Sequence, residues 1–557
     1  MNLKEYLGSV EGDYSSKHRM LGLVHKSPGY HTNVPNGKWV HPSREALGYA
    51  VSLLEEGSPS RVKRACDIIR KVISLQDQDK TSPTYGIWSW LMEEPLDKMT
   101  PPDWNWADFC GFYLAEIYRI HGNLLPGALL RTITQSIDHA AASIFRRNMG
   151  PHYTNISIMG GIVTSLAGEI LNDTRWIAYG KRRLEKCVEH FEFHGGFNEY
   201  NSPTYTMVVL RDCERGLRMM SLGPAKQLTK RLWRAAWETI AGHYHAPTHQ
   251  WAGPHSRSYH TFLSPQIARW LSQRTRIAIP IHPWKNASAA VEMPEDDFAL
   301  DCPADLRGFF GNPPAKTYEI TRRFIRRSNA ETSTFGTTWF SKEACLGSVN
   351  RDFIWDQRRA VQAYWIGAGG TPVSMRLRFL HDGREFASCY VFNRQSGSKV
   401  LSAVHLLLDR GDFHPMWGAP EANVFQAEDF RVRYEFIGPG LDVQYLKDGR
   451  YVVASGKCRA VITPAPCLFG GAPVQWLGEQ KKDRVEVDAV LYHGKRKAFD
   501  FKTLSPVRIA AGVEIINASS ALPKPMAMKW SKDGTIHWGG TAGWNITVPE
   551  RAIPLVE

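Results

Sequence analysis

Cysteine is scarce in this chain and follows no pattern: 557 residues contain nine cysteines and no CxxC pair. An odd and scattered set of cysteines without a CxxC pair argues against a disulfide framework and against a cysteine zinc site, so we predict buried structural thiols instead. Long apolar runs are missing as well, because no stretch approaches the roughly 18 uninterrupted apolar residues of a membrane span. A membrane partner is therefore not expected.

The first residues, Met1–Arg19, lack the basic segment followed by an apolar segment that marks a signal peptide. As the sequence stands, we expect a cytoplasmic protein, or a secreted or periplasmic one if a signal peptide has been removed. A chain of 557 residues is too long for one ordinary domain. Two or three domains are expected.

Acidic residues are outnumbered, with 55 Asp and Glu against 68 Lys and Arg, which gives a net charge of +13. Such an excess indicates an acidic partner. The basic residues occur in short, dispersed clusters without a zinc-finger or RNP-type pattern, so nucleic acid is not the expected partner. The 19 tryptophans offer flat faces that suit sugar rings carrying carboxylates or sulfates. We therefore expect an acidic polysaccharide or oligosaccharide.

The first half of the chain has the apolar spacing of amphipathic helices. Ser43, Ser58 and Ser264 are predicted to cap the helices that follow them. Short connections predict antiparallel hairpins, and the lack of a strict repeat weighs against a solenoid. The predicted helices cover 43–57, 58–75, 104–121, 127–147, 155–172, 174–192, 203–221, 224–242 and 264–274.

The second half alternates polar with β-branched or aromatic residues, and turn signals occur at short intervals. Strands are predicted at 317–326, 333–340, 360–366, 373–379, 387–392, 400–408 and 430–436. The prediction is therefore an α+β multidomain protein with a helical domain over 1–276, a proline-rich connector over 277–316 and an antiparallel β-sandwich over 317–557.

Two segments of the helical half are too polar for a simple scaffold. In His194–Tyr205, two glycines precede Glu199, Tyr200, Asn201 and Tyr205 at a helix entrance, where sites often concentrate. His249–His260 places Trp251, His255, Arg257 and Tyr259 within twelve positions. In an extended backbone, His255, Arg257 and Tyr259 would point to one side. The alternative interpretation is an elaborate helix cap and a bracing loop.

These residue types suit the cleavage of a uronic-acid polymer by β-elimination. The enzyme must remove the weakly acidic proton next to a carboxylate and expel the oxygen at C4. Hydrogen bonds from Asn201, His255 or Arg257 would stabilise the charge that develops on the carboxylate. Tyr259 would act as base and acid, helped by a neighbouring cation such as Arg257.

With these residues, the chain resembles the polysaccharide lyases that have a helical toroid followed by antiparallel β-sheets, the heparinase II/III-like and alginate-lyase-like group. The resemblance implies an incomplete (α/α) toroid before the β-sandwich. It also implies an Asn or His that neutralises the carboxylate and, several tens of residues later, a proton-transferring Tyr. Asn201 and Tyr259, 58 positions apart, match that arrangement. A histidine of the β domain often joins the site, and His414 is preferred over His405, which sits in an apolar strand.

Further residues are candidates for binding sugar rings. Some rings are expected to fill the helical core, and one or two to reach the substrate. The predicted binding residues are Glu199, Tyr200, Tyr205, Trp88, Trp104, Trp106 and Trp251. No cofactor is predicted. Some members of the resembling group hold zinc or calcium in the β domain, but we interpret His405, Asp409, Asp412 and His414 as polar strand and turn residues rather than metal ligands.

Two other functions remain open at this point. A glycoside hydrolase on a similar toroid would use paired carboxylates, for which Asp103, Asp108, Glu199 and Asp212 are available. A non-catalytic glycan-binding protein would keep the aromatic residues and tolerate the loss of Tyr259. A hydrolase has no need for the Asn, Arg and Tyr set, so we favour the lyase.

Overall fold

The computed structural model describes residues 2–27, 29–282, 300–539 and 543–555. The chain divides into two compact units. The first, here the helical unit, contains Met1–Glu192 and Met207–Trp237. The second, here the β unit, contains Phe193–Thr206, the segment that begins at Glu238, and Cys302–Glu557.

Helices dominate the first half, and each of the nine helices predicted there is present, which confirms that part of the prediction. The helix before residue 43 and the short one after residue 300 were not predicted. The helices are α1 (Leu3–Ser9), α2 (Ser43–Glu56), α3 (Pro59–Ile73), α4 (Trp106–His121), α5 (Gly127–Arg147), α6 (Thr154–Leu171), α7 (Thr174–His194), α8 (Tyr205–Met219), α9 (Pro224–His243), α10 (Pro265–Thr275) and α11 (Gly308–Gly311).

The helical unit has an inner and an outer row of helices. Inner helix α2 packs on α4, and α4 packs on α6. A Cβ at Gly216 of α8 would lie 3.0 Å from Ile162, so α8 packs closely on α6. In the outer row, α3 packs on α5, and Trp176 of α7 donates to Asp138 of α5. These rows of hairpins match the predicted incomplete toroid.

Helix α6 is the core of the helical unit. It is apolar on all sides, which is typical of a helix surrounded by others. Its length and composition would also suit a membrane span, but 83% of Thr154–Leu171 is buried inside the protein. Arg183 of α7 is buried beside it and donates to the carbonyl oxygens of Ile156 and Ser157.

The helix starts agree with the predicted caps in two of three cases. Ser58 and Ser264 are N-caps followed by proline at the first helical position, and the Ser264 hydroxyl accepts from the Ile267 amide. The prediction for Ser43 is wrong, because Pro42 is the N-cap of α2. The Ser43 hydroxyl instead donates to the Ser89 carbonyl, a long-range contact that no local pattern could reveal.

The strands after residue 316 confirm the seven predicted ones, with bounds that differ by a few residues. Six short strands occur earlier: β1 (Tyr14–Ser15), β2 (Met20–Leu21), β3 (Leu23–Val24), β4 (Trp39–Val40), β5 (Tyr244–His245) and β6 (Gln250–Trp251). The later strands are β7 (Tyr318–Ile325), β8 (Thr334–Phe340), β9 (Ala344–Val349), β10 (Arg351–Phe353), β11 (Val361–Ile366), β12 (Pro372–His381), β13 (Arg384–Glu385), β14 (Cys389–Ser396), β15 (Lys399–Leu408), β16 (Val424–Ile437), β17 (Asp442–Tyr445), β18 (Tyr451–Ser455), β19 (Cys458–Pro464), β20 (Leu468–Phe469), β21 (Ala472–Pro473), β22 (Gln475–Lys481), β23 (Arg484–Asp500), β24 (Val507–Asn517), β25 (Met528–Trp530), β26 (Thr535–Trp538), β27 (Asn545–Thr547) and β28 (Ile553–Pro554).

Two large sheets form the β-sandwich. One has the strand order β10-β14-β15-β24-β19-β18-β17, and the other has the order β22-β23-β16-β12-β11-β9-β8-β7. Neighbours along both orders are antiparallel, as predicted, whereas β28 pairs parallel with β15. The core between the sheets is built from alternating inward residues such as Val391 and Val404 of one sheet and Phe379 and Val432 of the other.

The predicted connector, 277–316, lies partly outside the described residues, since positions 283–299 are not described. Its described parts contain α11 and a 3₁₀ turn at Ala304–Leu306. The domain boundaries at 276 and 316 therefore stay a prediction. All nine cysteines belong to the described chain, and each is a buried free thiol, as expected.

Candidate functional site

Both polar segments singled out above belong to the β unit. The first follows the end of α7, where Gly195 has a φ of 89°. A Cβ there would lie 2.7 Å from the Arg323 carbonyl oxygen, so only glycine fits without strain. The segment then runs to the start of α8 at Tyr205, whose amide donates to the Ser202 hydroxyl.

Asn201 holds the two segments together. Its φ of 42° is left-handed, which Asn tolerates better than most residues. Its amide nitrogen donates to the carbonyl oxygens of Ala252 and Pro254 at 2.9 and 2.8 Å. Its amide oxygen accepts from the Trp251 indole at 2.6 Å. With 1% of its surface exposed, Asn201 acts as a buried clamp.

The second segment lies extended against the chain around residue 358. The backbones of His255 and Arg359 exchange two hydrogen bonds, and the Ser258 amide donates to the Gln357 carbonyl. The His255 imidazole is 1% exposed, with Nδ1 2.7 Å from the Asn201 carbonyl oxygen and Nε2 3.1 Å from that of Trp251. Burial lowers the pKa of His255 to about 4, although the two carbonyl oxygens that face its nitrogens oppose this shift.

Arg257, Tyr205 and Tyr259 form a hydrogen-bonded group, here called the Arg257 cluster. One guanidinium nitrogen donates to both phenol oxygens, at 3.0 Å for Tyr205 and 3.3 Å for Tyr259. The two phenol oxygens are 3.0 Å apart. Tyr259 is 42% exposed, so the cluster opens to solvent at that residue. Arg257 and Tyr259 thus share one side of the extended segment, as predicted.

The environment of the cluster fixes which groups hold protons. Burial raises the pKa of Tyr205 well above its ordinary value, so its hydroxyl stays protonated. Burial alone would lower the pKa of Arg257, but Tyr205, Tyr259 and Glu199 outweigh it and raise the pKa. Glu199 forms an ion pair with Arg257 at 3.7 Å. Arg257 is therefore a fixed cation, and Tyr205 can donate its proton to the Tyr259 oxygen.

Three residues of the β-sandwich complete the site. The Gln357 side chain accepts from Nε of Arg257 at 2.5 Å, and the Arg257 guanidinium lies 5.4 Å from the Trp355 ring centroid. The His414 ring meets Trp355 edge to face at 4.9 Å. A continuous line of contacts therefore leads from Arg257 through Trp355 to His414.

His414 is half-buried and neutral. Burial and the charge of Arg257 lower the pKa of His414 to about 4. Its Nδ1 accepts from the Met416 amide at 3.1 Å. A neutral imidazole carries one proton, so Nε2 bears it and is a hydrogen-bond donor at pH 7.

Tyr200, next to Asn201 in the chain, joins a buried ion pair between Arg358 and Asp352. The Tyr200 hydroxyl donates to the Asp352 carboxylate, and Arg358 donates to the same carboxylate at 2.8 Å. The Tyr200 ring stacks on Phe324, with centroids 4.4 Å apart. Tyr200 is 1% exposed, so it braces the segment and has no face for a substrate.

The structure corrects several predicted sugar-binding residues. Tyr200, Trp88, Trp106 and Trp251 have 1%, 0%, 7% and 2% of their surface exposed, and a sealed ring cannot stack on a sugar. The three buried indole N–H groups have partners: for example, Trp88 donates to the Val72 carbonyl inside the helical unit. Trp104, also in the helical unit, is half-buried, and its indole donates to the Pro83 carbonyl.

The residues that sequence reasoning missed are Trp355, Gln357 and Trp417. Trp355 and Gln357 lie in Ile354–Arg359, a connection between strands that is as rich in polar and aromatic residues as the two segments noticed earlier. That density was the available signal. Glu199, though 8% exposed, and half-buried Tyr205 do lie at the site.

Three of the four carboxylates considered for a hydrolase are buried in the helical unit, and the fourth is Glu199. Asp103, Asp108 and Asp212 of the helical unit are 6%, 2% and 6% exposed. Within the part of the chain that the structure describes, no three His, Cys, Asp or Glu side chains gather as metal ligands. Asp412 and Asp409 are instead bonded to His381 and Asn423, and buried His405 lies 3.3 Å from the Pro549 carbonyl oxygen.

Comparison with known proteins adds the following. A family model described as a domain of unknown function, DUF8769, matches residues 22–278. A crystal structure of a heparinase III is similar at 11% identity, with 94% of this chain and 86% of that chain covered and a TM-score of 0.41. A mutant of the heparan sulfate lyase HepC from Pedobacter heparinus is similar at 10% identity, with 91% and 81% covered and a TM-score of 0.41. A heparinase III with methylated lysines gives 10% identity, 98% and 91% coverage and a TM-score of 0.38. No curated protein sequence matches the chain.

Proposed function

We propose that this protein is a polysaccharide lyase that cleaves a uronic-acid-containing glycan by β-elimination at the Arg257 cluster. The observation that carries the proposal is an exposed tyrosine oxygen, that of Tyr259, which faces two hydrogen-bond donors, Arg257 and Tyr205. The net charge of +13 suits a polyanionic substrate.

Tyr259 is the proton-transferring residue in this proposal. Its oxygen takes the proton at C5 of the uronate, which lies next to the carboxylate. The electrons of the broken C–H bond form the C4–C5 double bond, and the C4–O bond breaks. The expelled oxygen leaves with a proton that Tyr259 returns. The Arg257 and Tyr205 donors stabilise the negative charge on the Tyr259 oxygen before it takes that proton.

Arg257 and His414 stabilise the substrate in this mechanism. When the proton leaves, negative charge grows on the uronate carboxylate, and preformed donors lower the barrier most when they need no rearrangement. Arg257 supplies a fixed positive charge, and Nε2 of His414 supplies an N–H group. Glu199 holds the guanidinium from another side.

Asn201 and His255 take a positioning role rather than contact with substrate. Both are 1% exposed, and their polar atoms already face backbone carbonyls or the Trp251 indole. Together with the Ser202 hydroxyl, which donates to the Arg257 carbonyl at 2.7 Å, they fix the backbone that presents Arg257 and Tyr259. This differs from the role that the resemblance implied for Asn201.

The test is a panel of uronate polymers: heparan sulfate, hyaluronan, chondroitin, alginate and polygalacturonate. A lyase leaves a conjugated unsaturated uronate, so ultraviolet absorbance rises with every cut. New reducing ends without that absorbance would identify a hydrolase and overturn the proposal. Binding without any cleavage would indicate a glycan-binding protein.

A further inference from the structure

The loop between β15 and β16 presents an apolar surface beside the proposed site. In Asp409–Gly418, here called the His414 loop, the exposed fractions are 47% for Phe413, 70% for Met416 and 38% for Trp417. Large apolar side chains gathered at one exposed place commonly mark a binding surface. The mechanism above uses His414 of this loop and leaves these three residues without a role.

The loop is a built structure. Gly411 donates to the Pro415 carbonyl, Asp412 to that of Trp417, and Trp417 to that of His414. A Cβ at Gly411 would lie 1.9 Å from the His414 carbonyl oxygen, so the turn needs glycine. Hydrogen bonds within the loop therefore define its backbone.

His381 anchors the base of the loop. Its Nδ1 lies 2.9 Å from the Asp412 carboxylate, and its Nε2 lies 3.1 Å from the Gln426 carbonyl oxygen. Two acceptors suit an imidazolium, and although burial opposes the charge, Asp412 raises the pKa of His381. Its ring stacks on Phe430 with centroids 4.6 Å apart. The anchor is thus held on both edges and one face.

The aromatic surface is continuous with the site. The Trp417 ring stacks on the His414 imidazole with centroids 3.9 Å apart, and His414 in turn contacts Trp355, which lies under Arg257. The uronate position proposed at Arg257 and His414 therefore borders the Trp417 ring. The apolar face of a pyranose ring is the part of a glycan that a flat aromatic ring binds.

We propose that Trp417, with Phe413 beside it, forms a subsite for the pyranose ring next to the uronate that is cleaved. This inference rests on the proposed function, because it places the uronate at Arg257 and His414. It adds that the enzyme recognises at least two consecutive sugars and that the second is held by ring stacking rather than by charge.

The experiment measures binding apart from cleavage. In a Tyr259→Phe background, which does not consume the ligand, titration calorimetry with tetrasaccharides of heparan sulfate, alginate and polygalacturonate gives Kd. We expect Trp417→Ala to raise the Kd of the tetrasaccharide that binds by about tenfold. Trp417→Phe should raise the Kd less, because it keeps a flat ring. Trp417→Leu keeps apolar volume without the ring and should behave like Trp417→Ala. Tyr445→Ala, at an exposed aromatic residue of β17, is the matched control and should leave Kd unchanged.

The outcomes separate this proposal from the lyase itself. With Tyr259 present, Trp417→Ala should raise KM by a similar factor, with a smaller effect on kcat. An unchanged Kd and KM in a chain that cleaves uronate polymers would overturn the subsite alone. Trp417-dependent binding in a chain that cleaves none would overturn the lyase alone. If no tetrasaccharide binds, or if a single-stranded oligothymidine binds as well through Trp417, the sugar subsite is wrong.

Discussion

Several candidate residues of the helical unit are buried, whereas two residues at the candidate site of the β unit stay exposed. In the helical unit, Trp88, Trp106 and Asp108 are sealed among helices. In the β unit, Tyr259 and Trp417 keep 42% and 38% of their surface exposed. The presence of many tryptophans therefore does not locate a site by itself. What distinguishes the candidate site is that its polar groups are organised by hydrogen bonds and remain accessible.

In each unit, burial shifts the pKa of some ionisable groups. Burial raises the pKa of Asp108 and of Asp212 in the helical unit to about 7 in each case. Burial lowers the pKa of His243 to about 3 and that of His245 to about 4 in the β unit. Burial thus favours the neutral form of these four groups, the protonated acid for Asp108 and Asp212 and the free base for His243 and His245. The comparison predicts that changes to sealed groups affect stability, whereas changes to the open cluster affect turnover.

The largest effect is expected for Tyr259→Phe. The variant keeps the ring but loses the oxygen that transfers the proton, so turnover on the uronate polymer that is cleaved should fall by about 10²–10⁴-fold. Stability should change little, because Tyr259 is 42% exposed and its oxygen is open to water. The ultraviolet assay and thermal unfolding on the same preparation measure both quantities. Tyr445→Phe, at a tyrosine that is 69% exposed, is the control and should keep full activity. A stable and fully active Tyr259→Phe protein would contradict the assignment.

The two units should differ in how acid changes their stability. For His243, His245, His255 and His405, the folded pKa of about 3 to 4 lies below the ordinary value of 6.5. The stability that these neutral histidines contribute to the folded state is present above pH 6.5 and is lost as the pH falls towards 4. For Asp108 and Asp212, the folded pKa of about 7 lies above the ordinary 3.8, so their contribution is complete below pH 3.8 and is lost as the pH rises through 7.

The β unit should therefore weaken between pH 7 and pH 4.5 while the buried carboxylates of the helical unit favour folding more strongly. Each pKa unit corresponds to about 1.4 kcal/mol, so four imidazoles together amount to several kcal/mol. Hydrogen exchange after incubation at pH 4.5, with the label added at one common pH, reports on separate peptides. Peptides that contain His243 to His255 should lose protection before those that contain Asp108. Equal loss of protection in both sets of peptides would contradict this prediction.

Arg257→Ala should lower turnover by about 10²–10³-fold, the usual loss when one preformed donor to a developing charge is removed. Arg257→Lys keeps the charge but not the fork that reaches Tyr205, Tyr259 and Gln357 together, so it should recover only part of the rate. Both rates are read in the ultraviolet assay. If Arg257→Lys had the full rate, charge alone would be what the site needs. An unchanged rate in Arg257→Ala would remove the residue from the mechanism.

Periodicity was sufficient to predict nine helices and seven strands, because both patterns are local. The role of a site residue was harder to predict, because it depends on distant partners. Arg257 and Tyr259 were found through their spacing in an extended segment. The burial of His255 depends on the chain at Arg359, and that of Asn201 on the carbonyls of Ala252 and Pro254, contacts which no local pattern encodes.

The smallest effect on turnover is expected for Asn201. This residue belongs to the β unit but is buried, like Trp88 of the helical unit. As a carboxylate-binding residue, its loss would lower turnover about a hundredfold with little change in stability. As a buried clamp, Asn201→Ala leaves the Ala252 and Pro254 carbonyls and the Trp251 indole without partners, which costs about 1–3 kcal/mol for an unsatisfied buried group. We expect the second result, with turnover of the folded fraction lowered by less than about tenfold. Chemical denaturation and the ultraviolet assay on one preparation decide between them, because a stable variant with a hundredfold lower rate would return Asn201 to contact with the substrate.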